Sequence, residues 1–218
     1  MCGRYGLIRK LDFLRKRYHA RGEFEWDEQY NICPTNKVPV VVEGGDGREI
    51  RLMTWGLIPF WAKDDKLKYS TINARADSVA SKPAFRDAFK KRRCIIPASG
   101  FYEWTKEKNP TWFAPTDGVF SFCGIWDRWK SPAGEEIESC SIITTDANEL
   151  VTKIHNRMPC AITDNMIATW IAPTTPVEEL QSFLGQFPAS QMKAQAVSQY
   201  VNKVGNKGPE CIAPLNSA

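Results

Sequence analysis

Residues 94–144 read CIIPASGFYEWTKEKNPTWFAPTDGVFSFCGIWDRWKSPAGEEIESCSIIT. β-Branched and aromatic residues gather here into short runs: Cys94–Ile96, Gly100–Thr105, Thr111–Ala114, Val119–Trp126 and Ile137–Thr144. Pro, Gly, Asn and Asp punctuate the runs, the pattern of strands separated by turns. Upstream, Val38–Val42 passes through Glu43-Gly44-Gly45-Asp46-Gly47 into Glu49–Trp55, which reads as a hairpin with a glycine-rich turn. Helical signals lie elsewhere. A short basic helix is expected over 10–20, helical stretches over 73–93 broken at Pro83, and further segments over 146–154, 164–171 and 176–184. Pro176 sits in the first turn of the last, with acids following. Strands in runs with helices set apart predict an α+β fold with mainly antiparallel pairing.

The chain has 218 residues, enough for an ordinary hydrophobic core, and contains neither repeats nor a low-complexity linker. A single domain over 1–218 is expected, with 206–218 as a loose terminus. No apolar run is long enough to span a bilayer, and the N-terminus lacks a signal-peptide apolar region, so a soluble, cytoplasmic protein is expected. The seven cysteines are widely spaced without a C-x-x-C pair, and the only histidines are His19 and His155. That inventory predicts neither a disulfide framework nor a metal site, and no cofactor. Free, mostly buried thiols suit every cysteine except Cys2.

Net charge is only +4, but it is unevenly spread. Residues 1–21 hold seven Lys/Arg against one acid, and 63–93 hold ten against four. Such clusters can follow a phosphate backbone or form a solvated face. Trp55-Gly56-Leu57-Ile58-Pro59-Phe60-Trp61 lies beside the second cluster. Aromatic faces beside cations suit unpaired bases, although core filling must account for most of the aromatic residues.

Four constellations could carry chemistry. Removal of Met1 would leave Cys2 with an α-amine beside its thiol, titrating near ~7.7–8 and ~8.5, two nucleophiles usable at neutral pH. Facing an aldehyde, the pair forms an imine and then a five-membered thiazolidine; facing an amide, the thiol attacks with the amine as base. Asn73-Ala74-Arg75 can offer an amide and a guanidinium to one anion, or be a helix N-cap followed by a surface Arg. Glu103 stands among aromatics in Gly100–Trp104, where alternation puts it on the Phe101 face, opposite Tyr102 and Trp104. Burial there would raise its pKa and suit general acid–base work, whereas an exposed strand carboxylate would do nothing. His155 lies between Ile154 and Met158-Pro159, open to a core role or to titration near neutrality, with Arg157 nearby as an anion ligand.

Taken together, Cys2-Gly3-Arg4, Tyr30-Asn31-Ile32-Cys33-Pro34, Trp55–Pro59, Asn73-Ala74-Arg75, Gly100–Trp104 and His155-Asn156-Arg157-Met158-Pro159 resemble the SRAP (SOS-response-associated peptidase) family. The resemblance runs from Cys2 to about Asn206. It departs at Cys33, where Ala is common, at Asn156, where Asp is usual, and at Trp61, where some members carry two Trp. It implies curved, barrel-like, mainly antiparallel sheets with peripheral helices. The implied activity is capture of abasic sites in single-stranded DNA through a thiazolidine on Cys2, shielding the lesion in a DNA-damage response. In that reading Cys2 is the nucleophile, Asn73 holds the sugar or the Cys2 amine, Glu103 shuttles protons, and His155 protonates the sugar oxygen or assists reversal. Arg4, Arg75 and Arg157 hold phosphates, Trp61 and Trp104 contact base or sugar, and Thr144 adds a polar contact. The partner is single-stranded DNA with an abasic site, met by a monomer without metal or cofactor, at the nucleoid if the source is bacterial. The implied activity includes lyase-like DNA chemistry and autoproteolysis through Cys2; two other readings of the residues are a cysteine peptidase with Cys2 as nucleophile, acting on Met1 in cis, and a non-covalent single-strand DNA-binding module.

Overall fold

The computed structural model describes residues 2–215, apart from the side chains of Leu67 and Tyr69. The hairpin over 38–55 forms as β3 (Lys37–Gly44) and β4 (Gly47–Trp55), paired along their whole length from Lys37–Thr54 to Gly44–Gly47. Three of the runs in 94–144 give β6 (Arg93–Ala98), β9 (Phe120–Lys130) and β10 (Glu136–Asp146). β3 pairs β6, β6 pairs β9, β9 pairs β10, and β10 pairs β4 in parallel at Ser139–Thr54 and Cys140–Trp55. That last pairing closes five strands into a barrel, which leaves those strands few open edges.

The other two runs give β7 (Gly100–Trp104) and β8 (Pro110–Pro115). With β1 (Tyr5–Leu7), β2 (Gln29–Ile32) and β13 (Met192–Ala196) they build an antiparallel five-stranded sheet in the order β13-β8-β7-β1-β2. Alternation on β7 sorts side chains as expected. Phe101 joins the main core, while Tyr102 and Trp104 pack with Trp112 in a second cluster that includes Val197, Val201 and Cys211. Gly100 is required by this packing, since a Cβ there would lie 2.3 Å from the Trp112 ring.

Helices are few and peripheral: α1 (Leu11–Tyr18), α2 (Arg86–Lys91), α3 (Asp164–Ile171) and α4 (Val177–Leu180). Arg93 is buried and donates to carbonyls of Phe89, Lys90, Trp170 and Ala172, fastening the C-terminal ends of α2 and α3 to the barrel.

The structure differs from the expected helices in three places. Residues 73–75 are a strand, β5 (Asn73–Arg75), parallel to Ile142–Thr144 of β10, so only 86–91 of the 73–93 stretch is α-helical. Over 146–154 there is one 3-10 turn, Val151–Lys153, because the Asn148 Oδ1 accepts from Leu150 and Val151 N–H and tightens the chain. The segment 176–184 divides into α4 and a 3-10 turn, Gln181–Phe183. Two short strands, β11 (Arg157–Pro159) and β12 (Ala161–Ile162), then pair β10 and β9.

The expected loose terminus is docked as far as it is described. Cys211 is buried, and the Asn31 amide donates to carbonyls of Val201, Lys203 and Asn206. Residues 216–218 lie outside the described residues. No helix is long and apolar enough to cross a membrane.

Candidate active site

Cys2 precedes β1, and its side chain is fully buried. The sequence set it apart from the other thiols, yet all seven cysteines are free and buried. Met1 lies outside the described residues. β1 pairs β7 at Tyr5–Phe101, and the Tyr102 N–H donates to the Arg4 carbonyl at 3.0 Å. The pairing therefore continues past the end of β1 and carries Glu103 alongside Cys2-Gly3.

From the barrel side comes β5. The Asn73 amide donates to the Cys2 carbonyl at 2.7 Å, while its buried Oδ1 has no partner among the described residues. An orphaned buried acceptor is costly, so this oxygen awaits a donor. Cys2, Asn73 and Glu103 are thus gathered from three separate segments at the junction of barrel and sheet.

Burial pushes the Cys2 thiol far above its ordinary pKa, and the Glu103 charge pushes it the same way. Burial also raises Glu103 from 4.5 to about 7, so the carboxyl exchanges a proton near neutrality. His155 precedes β11, which pairs β10. Its Nδ1 accepts from the Arg157 N–H at 3.0 Å, which places the proton of the neutral ring on Nε2. Burial lowers the His155 pKa, so at neutral pH the ring offers an uncharged N–H donor.

The predicted DNA contacts divide. Arg75 is exposed, with Asp77 as its ion-pair partner at 2.6 Å. Arg4 bonds the Asn31 Oδ1 at 2.8 Å and the Val201 carbonyl at 3.0 Å through Nη1, and lies over the Trp104 ring at 5.6 Å. The Trp104 indole N–H donates to Asn202. Arg157, expected on a phosphate, is instead 7% exposed, with its guanidinium on Asp146 and the Thr144 carbonyl. It stitches β11 to β10. Thr144, expected as a polar contact, is fully buried and donates to the Ala74 carbonyl, because β5 and β11 cover it from both sides.

Trp61 is 47% exposed and Phe60 53%, in a loop tied down by Phe60 N–H to Asp127 and Trp129 Nε1–H to Ala62. Asp127–Trp129 faces Ile137–Ser139 of β10, whereas Asn73 and Arg75 pair with Ile142 and Thr144. The loop is therefore an outlying aromatic platform, separate from the Cys2 cluster. Sequence reasoning assigned no role to Asn31. Its signal was its place in the Tyr30-Asn31-Ile32-Cys33-Pro34 motif, and it proves to be the buried hub that fixes Arg4. No cluster of potential metal ligands occurs among the described residues.

The family description "SOS response associated peptidase (SRAP)" matches residues 1–204. The chain belongs to the SRAP family. This SRAP chain is 38% identical over 222 residues to "Abasic site processing protein YoqW" of Bacillus subtilis (strain 168), covering 97% of this chain and 99% of that one. It is 31% identical to "Abasic site processing protein HMCES" of Gallus gallus, covering 99% of this chain and 78% of that one. A crystal structure of a protein from Bacteroides thetaiotaomicron matches the SRAP chain at a TM-score of 0.90 with 31% identity, covering 97% and 98%.

Proposed function

We propose that this SRAP protein recognises abasic sites in single-stranded DNA and captures them covalently as a thiazolidine on Cys2, shielding the strand from cleavage. The observation that carries the reading is the convergence of Cys2, Asn73 and a Glu103 poised near pH 7 in one buried junction. The names of the relatives, abasic site processing proteins, support the same substrate.

An abasic deoxyribose is mostly a closed hemiacetal. Glu103 takes the proton of its C1′ hydroxyl and passes it to the ring oxygen as the C1′–O bond breaks, while the His155 Nε2–H hydrogen-bonds that oxygen, and the aldehyde opens. The Cys2 amine, freed by loss of Met1, adds to C1′, and Glu103 relays the amine's protons to the C1′ oxygen, which leaves as water to give the imine. The Cys2 sulfur then adds to C1′, its proton passing to Glu103 and on to the ring nitrogen. Aldehyde plus aminothiol thus becomes thiazolidine plus one water. Keeping the buried thiol protonated orders these steps, because sulfur enters only when a base stands ready to take its proton. Closure also removes the imine that would otherwise promote β-elimination.

Asn73 orients the N-terminal residue through its carbonyl, and Arg4 and Arg75 supply positive charge for the strand. A peptidase acting in cis, or a lyase that stops at the imine, uses the same Cys2. A buried, protonated thiol gives the peptidase reading no added support.

The test is incubation of wild type, Cys2→Ser and Cys2→Ala with abasic single-stranded oligonucleotide, resolved on denaturing gels with and without borohydride. Wild type gives a stable adduct without reductant. Cys2→Ser and Cys2→Ala keep the α-amine but lose the sulfur, so each gives an adduct trapped only by borohydride while still binding DNA. A stable adduct from Cys2→Ala overturns the reading.

A further inference from the structure

β9 and β10 pair as far as Gly124–Ile142 and part beyond that point. Residues 157–162 fill the wedge between them, with β11 on β10 and β12 on β9. Cys160 is the crossover residue. Its N–H donates to the Ile143 carbonyl of β10 at 2.8 Å, and its carbonyl accepts from the Cys123 N–H of β9 at 2.9 Å. The register Ile162–Ser121 and Ala161–Phe122 thus carries on to Cys160–Cys123, a cross-strand pair. Cα atoms of such a pair lie about 4.5–5.5 Å apart, inside the range of about 4.4–6.8 Å over which a disulfide closes.

The two sulfurs also aim at one place. The Cys123 Sγ reaches the Phe183 carbonyl at 4.0 Å and the Cys160 Sγ the Leu184 carbonyl at 3.6 Å, so both lie under the same turn of chain. Both thiols are fully buried, yet the cover is thin: Gln181, Ser182, Gly185 and Gln186 are exposed around Phe183 and Leu184. Its downstream end is fastened by the Gln186 amide on the Ala147 carbonyl at 3.1 Å and the Asn148 amide on the Phe187 carbonyl at 2.7 Å. Burial pushes the Cys160 thiol up to about 12, so the pair rests as thiols while the cover is down. Cysteines that only fill a core need neither a shared register nor a shared cover.

We propose that Cys123 and Cys160 are an oxidisable pair whose disulfide clips the β11–β12 crossover to β9. Local opening of 181–187 admits hydrogen peroxide. One sulfur, as thiolate, attacks the peroxide O–O bond and becomes a sulfenic acid, releasing water. The second sulfur then displaces the sulfenic oxygen, which leaves as another water. Two thiols and one peroxide give one disulfide and two waters, the sulfurs losing the two electrons that the peroxide gains. β11 carries Arg157 and follows His155, so the clip holds the His155 end of the site in protein that has met peroxide. The inference does not rest on the Cys2 capture reading.

The experiment treats the full chain as wild type, Gln186→Ala and Cys160→Ala with hydrogen peroxide. Each sample is then denatured and alkylated for non-reducing peptide mapping, and melting curves are recorded with and without dithiothreitol. Wild type should yield a peptide linking Cys123 to Cys160, lighter by the two hydrogens lost. Its melting temperature should rise by about 5–10 °C and fall back on reduction. Gln186→Ala loosens the cover, so its linked peptide should form several-fold faster. Cys160→Ala should show no rise in melting temperature, and the wild-type map decides the matter even where that variant folds poorly. Both thiols still open to alkylation after peroxide in wild type and Gln186→Ala alike, or linked to other cysteines instead, overturns the pair. A link between Cys123 and Cys160 that leaves the melting temperature unchanged overturns the clip.

Discussion

The Asn73 side chain donates to the Cys2 carbonyl at 2.7 Å and joins β5, the short strand paired to β10 of the barrel, to the segment that opens the second sheet. This bond places the N-terminal residue relative to Glu103, although the residues involved lie far apart in sequence. Asn73→Ala removes it. The account predicts adduct formation slowed about 10²-fold, the cost of a misplaced reacting group, with undamaged single-strand affinity unchanged. Loss of this buried hydrogen bond also lowers stability by about 1–2 kcal/mol. Single-turnover gels and urea unfolding measure the two effects. A wild-type rate would remove Asn73 from the positioning role.

Glu103→Gln keeps the shape but cannot exchange a proton. Adduct formation is expected to slow by roughly 10²–10⁴-fold, and the inflection expected of wild type near pH 7 should vanish. Stability moves the other way. An acid with a folded pKa near 7 and an ordinary value of 4.5 binds more protons folded than unfolded, so wild type loses stability as pH rises between those values. The loss is on the order of 3 kcal/mol at most. Glu103→Gln should therefore be the more stable protein at pH 8, with little difference at pH 4.5. Denaturant midpoints across that range are the check, and parallel wild-type and variant curves would contradict it.

His155→Ala removes the neutral Nε2–H donor while leaving Cys2 and Glu103 in place. The adduct is expected to form, with release slowed more than formation. A chase with excess unlabelled abasic oligonucleotide reads the release rate. Equal release from wild type and variant would reduce His155 to a ligand of the Arg157 N–H.

Arg75 and Arg157 look alike in the sequence but are expected to behave differently. Arg75→Ala, at an exposed position, should lower the single-strand salt slope by about 0.7 without loss of stability. Arg157→Ala removes the charge-assisted bonds to the Thr144 carbonyl and to Asp146, although that carbonyl keeps the Ala76 N–H, costing about 1.5–3 kcal/mol of stability with little change in slope. Reversal of the two phenotypes would place the strand along β11 instead.

The hairpin over 38–55 and the runs in 94–144 were legible because alternation and turn residues act locally, and α3 falls on the expected 164–171. β5 was hidden because Asn73-Ala74-Arg75 favours a helix intrinsically and becomes a strand only against Ile142–Thr144, some seventy positions away. Cys2, Asn73 and Glu103 could be named as chemically apt residues, and the expected facing of Glu103 with Phe101 holds. The burial of Arg157 and Thr144 could not be read, because it depends on β5 and β11 both pairing β10. The docking of 206–215 was equally hidden, since it hangs on Asn31, a single buried amide in a distant strand.

The central claim is that both nucleophiles of Cys2 join one carbon of the lesion. The most direct test is intact mass spectrometry of the protein after reaction with an abasic single-stranded oligonucleotide, without reductant, followed by mapping of the adducted peptide. The account predicts a protein that has lost Met1 and gained the oligonucleotide mass minus one water, with the adduct on Cys2 and no free thiol there. An adduct on a lysine, a Cys2 thiol still open to alkylation within the adduct, or no adduct on protein lacking Met1 would contradict it.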